Sequence, residues 1–158
     1  MKIRIACVGK MKESYFLKAQ AEYLKRLSRF AAVEVLELAD ERTPAFPTER
    51  EREAVLKKEG ERIKRAMAGF DVASVLAVEA QQMDSEAFAQ RLGEKEAQGK
   101  SVCYVIGGSF GISEEVKQMA GEKISLSLLT FPHRLARIVL LEQLYRGFKI
   151  CRGENYHK

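Results

Sequence analysis

The hydrophobic residues of this chain fall into short apolar runs separated by longer charged stretches with helical spacing. Segments of strand length occur at 2–8, 33–38, 72–78 and 101–106, and the first of them alternates apolar residues with charge. Residues 72–78 are continuously apolar, which is typical of a strand covered on both faces of a parallel sheet. The charged stretches carry apolar residues three and four positions apart, which predicts helices. Five strand–helix pairs in succession indicate the α/β class, with a mostly parallel sheet and helices on both faces.

The fifth strand and the helix after it are predicted from the last apolar stretch of the chain. Residues 125–131 are short and apolar, and Pro132 removes an amide donor, so a buried strand should end there. The helix that follows, at 134–149, has apolar residues in widely different directions. Such a helix is either central or covered by a second copy of the chain, and its place near the end of a small protein favours the second copy. We therefore predict a two-fold interface that includes Leu141, Tyr145 or neighbouring residues.

Two helix starts are marked by capping residues. Thr48 and Glu51 have the spacing of a capping box, which predicts a helix that continues to about Met67. Ser113 precedes Glu114 and is placed to cap a further helix, whose acidic first turn suits the helix dipole.

The length and composition fit one domain that spans residues 1–158. The chain is 46% apolar and 31% charged, and it contains neither a run of membrane-spanning length nor a signal-peptide pattern. Its three cysteines, Cys7, Cys103 and Cys151, are an odd number without Cys-x-x-Cys spacing, which favours free thiols and a cytoplasmic location. The two histidines share no ligand spacing with the cysteines, so we expect no metal site.

The net charge of +5 is unevenly distributed along the chain. Residues 10–29 carry six Lys or Arg against two Glu, and residues 133–158 carry the same numbers, whereas the middle of the chain is acidic. If the two basic ends meet in space, they would suit a polyanionic partner. The alternative, solvated helix faces, is the more frequent cause of such a pattern when charge alone is considered.

A glycine loop with the sequence IGGSFGIS lies at 106–113, between a predicted strand and a predicted helix. Glycine lets the backbone turn sharply and lets a ligand approach its amides, although many strand–helix crossovers carry glycines for packing alone. The loop has no Gly-Lys-Ser/Thr, which argues against a nucleoside-triphosphate P-loop. It also lacks an acidic residue near twenty positions downstream, which argues against a dinucleotide fold. A cofactor loop this late in the chain needs another family.

Seven segments distributed over the whole chain resemble the RlmH (YbeA) family of SPOUT methyltransferases. Each segment is weakly specific by itself, but the combination is specific. The segments are VGKMK at 8–12, EYLKRL at 22–27, KEG at 58–60, VIGGSFG at 105–111, SLSLLTFPH at 125–133, EQLYRGFKI at 142–150 and RGENYHK at 152–158.

The resemblance implies a C-terminal trefoil knot, which no spacing argument predicts, with the knot and a cofactor site in roughly 101–158. It also implies a homodimer that transfers a methyl group from S-adenosyl-L-methionine to N3 of pseudouridine 1915 in the 23S rRNA of the assembled ribosome. The cofactor would lie against three loops, although core packing is the alternative role for each leucine. The residues that the resemblance assigns to the cofactor are Val78, Gly107, Leu126, Ser127, Leu128, Leu129, Thr130 and Phe131.

The resemblance also places the polar tail at 152–158 in the site, where a disordered terminus is the alternative. N3 of pseudouridine is protonated at neutral pH, so a group must take or share its proton as it attacks the methyl carbon. The candidates are His157 and Tyr156, with Arg146 as a catalytic group that holds a phosphate or a developing oxyanion. For His133 the alternatives are a base and a structural group in the knot. The RNA-binding candidates are Arg152, Lys158 and His133.

Two other functions are compatible with the sequence. The chain could be a non-catalytic ribosome-associated factor of the same fold, whose basic ends bind RNA without turnover. It could also be a small-molecule α/β enzyme whose basic ends are incidental. Binding of S-adenosylmethionine separates these alternatives.

Overall fold

The structure, a computed structural model, describes residues 1–157. Strands and helices alternate along these residues, as the hydrophobic pattern predicts, and no helix among them is long and apolar enough to cross a membrane. The elements are β1 (Lys2–Val8), α1 (Ser14–Leu27), β2 (Ala32–Leu38), α2 (Glu49–Met67), β3 (Val72–Leu76), α3 (Ser85–Ala97), β4 (Val102–Ile106), α4 (Glu114–Met119), β5 (Glu122–Ile124) and α5 (His133–Cys151).

The five strands form one parallel sheet with the order β2-β1-β4-β3-β5. The first strand of the chain is therefore an inner strand, in which Ile3 pairs with Val33 on one side and with Val102 on the other. All residues of β4 are buried, as expected for a strand covered on both faces. The predicted parallel α/β sheet is confirmed.

The helices cover both faces of the sheet, because alternate residues of a strand point to opposite sides. Ile3, Ile5 and Cys7 of β1 face one core, which is completed by buried residues of α1, α3 and α5. Ala6 and Val8 face a second core, which is completed by residues of α2 and α4. The predicted placement of helices on both faces is also confirmed.

The start of α2 has the predicted capping box. The Thr48 hydroxyl accepts a hydrogen bond from the Glu51 amide at 3.3 Å, and the Glu51 carboxylate accepts one from the Thr48 amide at 2.7 Å. Ser113 caps α4 in a similar way by accepting from the Val116 amide at 3.4 Å. Both caps satisfy amides that have no acceptor within the helix, so local sequence sets where these helices begin.

The prediction of a strand at 125–131 is wrong. The strand is β5, which ends at Ile124 and pairs only with β3. Beyond it the chain forms a loop, in which the Ser125 hydroxyl donates to the carbonyl of Val78 at 3.0 Å and Leu128 and Leu129 are 73% and 71% exposed. The ladder stops because β3 ends at Leu76. The apolar residues after β5 then line a cavity instead of continuing the sheet.

The α5 helix is covered within its own chain along one side only. The buried residues on that side are Arg137, Leu140, Leu141, Leu144, Gly147 and Phe148. The helix packs against the sheet and against α1 and α3. Leu141 is 0% exposed within the first core, and the ring of Tyr145 lies 6.1 Å from that of Phe30 and 4.9 Å from that of Tyr156. The prediction that Leu141 lies at a two-fold interface is therefore wrong, because neighbouring helices of the same chain bury it.

Candidate active site

A cavity of about 600 Å³ opens where β3 and β4 end. Its wall is formed by three loops, at 76–79, 106–112 and 126–133. The carboxyl ends of parallel strands meet at one edge of a sheet, where ligands of open α/β folds bind. The volume lies within the range of small-molecule sites.

Most residues assigned to the cofactor by sequence resemblance meet in this wall, although they are far apart in the chain. Leu128 is assigned as well, but it does not belong to the wall and points its apolar side chain to the surface. The assigned residues that line the cavity are Val78, Gly107, Leu126, Ser127, Leu129, Thr130 and Phe131. Their arrangement is compatible with the assignment, which stays a prediction.

Gly107 is required by the shape of the glycine loop itself. A Cβ atom at this position would lie 2.4 Å from the carbonyl oxygen of Gly111 and 2.7 Å from the Ile112 side chain. Gly111 has a φ of +79°, a conformation that favours glycine. The loop therefore folds tightly on itself, and the lack of a side chain at Gly107 is required by contacts within the loop, whether or not a ligand is bound.

Two charged residues of the wall, Glu79 and Lys117, were not found by sequence reasoning. Lys117 of α4 forms an ion pair with Glu79, in the loop after β3, and a second one with Glu114 at 2.9 Å. Both residues line the cavity. Nothing in the sequence distinguishes Lys117, on a short charged helix, from a solvated lysine. Glu79 follows Val78 directly, and this position next to a predicted cofactor residue could have indicated that it lies in the wall.

His133, predicted as an RNA contact, is half-buried in the cavity wall. Its ring packs on Gly9, where a Cβ atom would lie 3.3 Å from Nε2. Burial lowers the pKa of His133, and the charges of Arg134 and Arg137 lower it further, so the ring is neutral at neutral pH. This environment favours the alternative of a structural group, while contact with RNA stays a prediction.

Arg137 is a buried charge that the sequence pattern does not distinguish from the other charged residues of α5. Its side chain is 0% exposed. One guanidinium nitrogen donates to Glu37 at 2.8 Å and to Gln20 at 3.1 Å, and the other donates to the Gly9 carbonyl at 3.3 Å. Arg137 thus connects α5 to α1, to β2 and to the segment against which His133 packs.

The C-terminal tail folds back on α5, which answers the alternative of a disordered end. The Tyr156 ring lies under the Arg146 guanidinium at 4.7 Å, and its hydroxyl donates to Glu142 at 3.3 Å. Burial and the nearby Glu142 charge raise the pKa of Tyr156 to about 12. Tyr156 is therefore protonated at neutral pH, which suits a hydrogen-bond donor better than a base.

Arg146 has the anionic partner that its apolar surroundings require. The partner is Glu142, one turn earlier on α5, at 2.6 and 3.0 Å. Arg146 also lies 3.3 Å from Nδ1 of His157. An arginine only donates, so Nδ1 is the acceptor in this contact and Nε2 is left as the donor nitrogen of the ring.

Within one chain, the catalytic candidates Arg146, Tyr156 and His157 do not line the cavity at the ends of β3 and β4, which is called the first cavity below. His157 lines a second cavity of about 420 Å³ between α3 and α5, and Leu126 belongs to the walls of both cavities. Arg152, an RNA-binding candidate, forms a two-bond ion pair with Glu96 at 2.7 and 2.9 Å. Lys158 lies outside the described residues. Within 1–157, no cluster of three or more His, Cys, Asp or Glu side chains is arranged to hold a metal ion.

The whole described chain matches one protein family. The family described as "Predicted SPOUT methyltransferase" matches residues 1–157. The chain belongs to the SPOUT methyltransferase family.

Curated relatives match this SPOUT methyltransferase from end to end. Ribosomal RNA large subunit methyltransferase H of Streptococcus equi subsp. zooepidemicus is 45% identical over 159 residues, covering 100% of both chains. The protein of the same name from Leuconostoc mesenteroides subsp. mesenteroides is 46% identical, with the same coverage. The family resemblance seen in the sequence is confirmed.

Solved structures share the SPOUT architecture at low sequence identity. A probable methylase family protein from Haemophilus influenzae superposes with a TM-score of 0.60 at 11% identity, covering 99% of this chain and 70% of that one. A putative methyltransferase from Legionella pneumophila, in complex with the bound cofactor SAM, has a TM-score of 0.51 at 13% identity, covering 91% of this chain and 65% of that one. At these identities the likeness shows the fold alone.

Proposed function

We propose that this chain transfers a methyl group from S-adenosyl-L-methionine to N3 of pseudouridine 1915 in 23S rRNA, acting on the assembled ribosome in the cytoplasm. The observation that carries the proposal is the 45% identity to ribosomal RNA large subunit methyltransferase H over the whole of both chains. The cavity at the ends of β3 and β4 supports it, because it gives the cofactor a site where the fold binds ligands.

The proposed protein is a single domain of residues 1–158, with the trefoil knot and the cofactor site in roughly 101–158. The strand order β4-β3-β5 supports the knot, because the chain leaves β4 and crosses past β3 before it forms β5. α5 then passes beneath the sheet and meets α1 and α3.

The chemistry of the cavity wall fits S-adenosylmethionine. The cofactor carries an electrophilic methyl group on a sulfonium, together with an adenine and a charged amino-acid end. Leu126 and Leu129 offer apolar surface for the adenine, and the polar backbone at 107–111 and Thr130 lie beside them. The charged residues Glu79 and Lys117 lie in the same wall.

The residues proposed for the chemistry have separate tasks. His157 would accept the N3 proton, which requires that Arg146 release Nδ1 or that the ring turn. Tyr156 would donate a hydrogen bond, because its raised pKa keeps it protonated. Arg146 or Arg152 would hold a phosphate or the developing oxyanion.

The RNA surface is proposed to combine the basic segment 10–29, α5 and the tail, with His133, Arg152 and Lys158 as contacts. Phosphate contacts position a nucleic acid but cannot select a base. Selection would then depend on a large, pre-shaped substrate, which favours assembled ribosomes over naked RNA.

A homodimer is proposed on a new ground, since the side of α5 that includes Leu141 is buried within its own chain. The three catalytic candidates do not line the first cavity of the same protomer. A second copy could bring its tail to that cavity and complete the site. Apolar side chains that remain exposed on one chain, Leu129 and Leu135 among them, are available to such an interface.

A pair of α5 variants tests this dimer. Leu141→Asp should prevent folding, because it places a carboxylate in a fully buried apolar core. Leu135→Asp, at a position that is 37% exposed, should keep the fold but yield a monomer that binds S-adenosylmethionine and does not methylate. Sedimentation velocity and circular dichroism measure both. A wild-type chain that sediments as a monomer at micromolar concentration would refute the dimer.

Gly107→Val is expected to abolish measurable cofactor binding, because its side chain would displace the Gly111 backbone and reshape the loop. The new side chain would also meet Ile112, which belongs to the second core, so a lower melting temperature is expected as well, and binding is measured at a temperature where the variant is folded. Calorimetric titration with S-adenosylmethionine provides the measurement, with Ser109→Ala, an exposed wall residue, as the matched control. Normal binding by Gly107→Val would place the cofactor elsewhere.

The proposed function is tested by comparing rRNA from cells with and without the gene by mass spectrometry. A single lost methyl group at the proposed pseudouridine is the expected result, restored by the purified protein with S-adenosylmethionine and ribosomes. Unchanged rRNA with intact ribosome binding would favour the non-catalytic ribosome-associated factor. Unchanged rRNA without ribosome binding would favour the small-molecule enzyme.

A further inference from the structure

The wall of the first cavity contains one pair of oppositely charged side chains, which form an ion pair with each other. Glu79 lies in the loop after β3, and Lys117 lies on α4. Among the described residues that line the cavity, the others are apolar, small or uncharged, apart from the titratable His133. The pair therefore supplies the local charge pattern that a ligand in the cavity would meet.

Both members of the pair are charged at neutral pH, but they differ in burial. The Lys117 side chain is 14% exposed, and that of Glu79 is 64% exposed. Burial alone would lower the pKa of Lys117, but its hydrogen bonds to Glu79 and Glu114 outweigh burial and raise it. The hydrogen bond from Lys117 lowers the pKa of Glu79.

We propose that Lys117 and Glu79 bind the amino-acid end of S-adenosylmethionine. Lys117 pairs with the α-carboxylate of the cofactor, and Glu79 pairs with its α-ammonium group. This inference rests on the proposed function. A zwitterion carries both charges on one carbon, so it can replace the direct ion pair with two ion pairs of the same kind. The adenine then occupies the apolar part of the wall near Leu126 and Leu129.

Lys117 dominates the pair because its ammonium is held in place. It is nearly buried and is fixed from both sides, by Glu79 and by Glu114. A hydrogen bond to a charged group in such a place contributes more to binding than one in full solvent. The exposed Glu79 should contribute less, since solvent screens it.

Lys64 offers a matched control for Lys117. It also bridges two glutamates, Glu61 at 2.8 Å and Glu115 of α4 at 2.5 Å, and its side chain is 19% exposed. It does not line the cavity. A purely structural contribution of a lysine that ties α4 to a neighbouring segment should therefore appear equally in both positions.

The test compares two ligands that differ at the amino-acid end. S-adenosylhomocysteine and 5′-methylthioadenosine are both neutral at sulfur, and only the first carries the amino-acid group. Calorimetric titration of the full chain should show that Lys117→Met weakens S-adenosylhomocysteine about ten- to a hundredfold and leaves 5′-methylthioadenosine unchanged. Glu79→Gln should show the same selectivity with a smaller loss, and Lys64→Met should change neither affinity.

The outcomes separate this inference from the function beneath it. An equal loss of both ligands in Lys117→Met, or no loss of either, would overturn the inference while the cofactor proposal stands. A selective loss in Lys64→Met as well would also overturn it. If the wild-type chain binds neither ligand, nor S-adenosylmethionine, the cofactor proposal fails and this inference falls with it.

Discussion

His157→Ala is expected to lower the turnover of methyl transfer by about a hundred- to ten-thousandfold, the usual contribution of a positioned general base. Cofactor binding and ribosome binding should be nearly unchanged, because His157 is exposed and lies outside the first cavity. Removal of residues 155–158 should produce at least the same loss of turnover. Single-turnover methylation of ribosomes, with separate measurements of ribosome and cofactor affinity, distinguishes chemistry from binding.

Two control variants sharpen this test. Asn155→Ala alters the exposed tail but keeps Arg146, Tyr156 and His157, and it should remain active. Tyr156→Phe removes only the hydroxyl that donates to Glu142, so a modest loss is expected. Weaker ribosome binding with normal turnover in His157→Ala would make this residue a contact. Full activity of the truncated chain would direct the search for the catalytic group to the surroundings of His133 and Arg146.

Glu37→Gln is expected to destabilise the fold by about 3 kcal/mol, the lower end of the range for breaking a buried ion pair. The substitution keeps a hydrogen-bond acceptor for the Met11 amide but leaves the fully buried Arg137 charge without its anionic partner. The lower end applies because Glu37 is partly exposed. Urea unfolding followed by circular dichroism gives the free energy of unfolding.

Arg137→Met is the informative counterpart of Glu37→Gln. Combined with Glu37→Gln, it removes both charges of the pair, which costs less stability than leaving one buried charge without its partner. The double variant should therefore be more stable than Glu37→Gln alone. If the double variant is no more stable than Glu37→Gln alone, the unpaired Arg137 charge is not the cause of the loss.

The same pair predicts the direction of a pH effect. Burial raises the pKa of Glu37, but the hydrogen bonds from Arg137 and from the Met11 amide outweigh burial, so its pKa lies below the ordinary value of 4.5. A lowered carboxyl pKa contributes stability above the ordinary value, and this contribution is lost as pH falls through the folded-state pKa. The difference between wild type and Glu37→Gln should accordingly be complete at neutral pH and shrink below pH 4.5.

Where local rules decide, the sequence predicts the fold well. The capping box at Thr48 and the continuously apolar β4 depend on neighbouring residues, and both are found where expected. The strand expected at 125–131 failed because its end is set by β3, a strand distant in sequence that pairs with it for only three residues. Leu141 failed for a related reason, since only the tertiary arrangement shows that α1 and α3 already cover α5.

The candidate site is less predictable because its residues acquire their meaning from partners that are distant in the chain. In the sequence Arg137 resembles the other charged residues of α5. Only the structure shows that it is buried and bonded to Glu37 and to the Gly9 carbonyl. Lys117 resembles a solvated lysine until the loop after β3 brings Glu79 to it. The loops that the family resemblance assigns to the cofactor lie together in one cavity wall, but the resemblance could not reveal these charge pairs.

The inner position of β1 has a consequence for how the protein is made. β1 finds its first partner, β2, once residue 38 has been synthesised, but its second partner is β4, which begins at residue 102. At about 5–20 residues per second, the ribosome needs roughly 3–13 s to produce the chain between them. During this interval one hydrogen-bonding edge of β1 has no partner strand, and such edges pair readily with other chains. Newly made copies should therefore depend on chaperones, or on a low local concentration, until β4 has been synthesised and the sheet is complete.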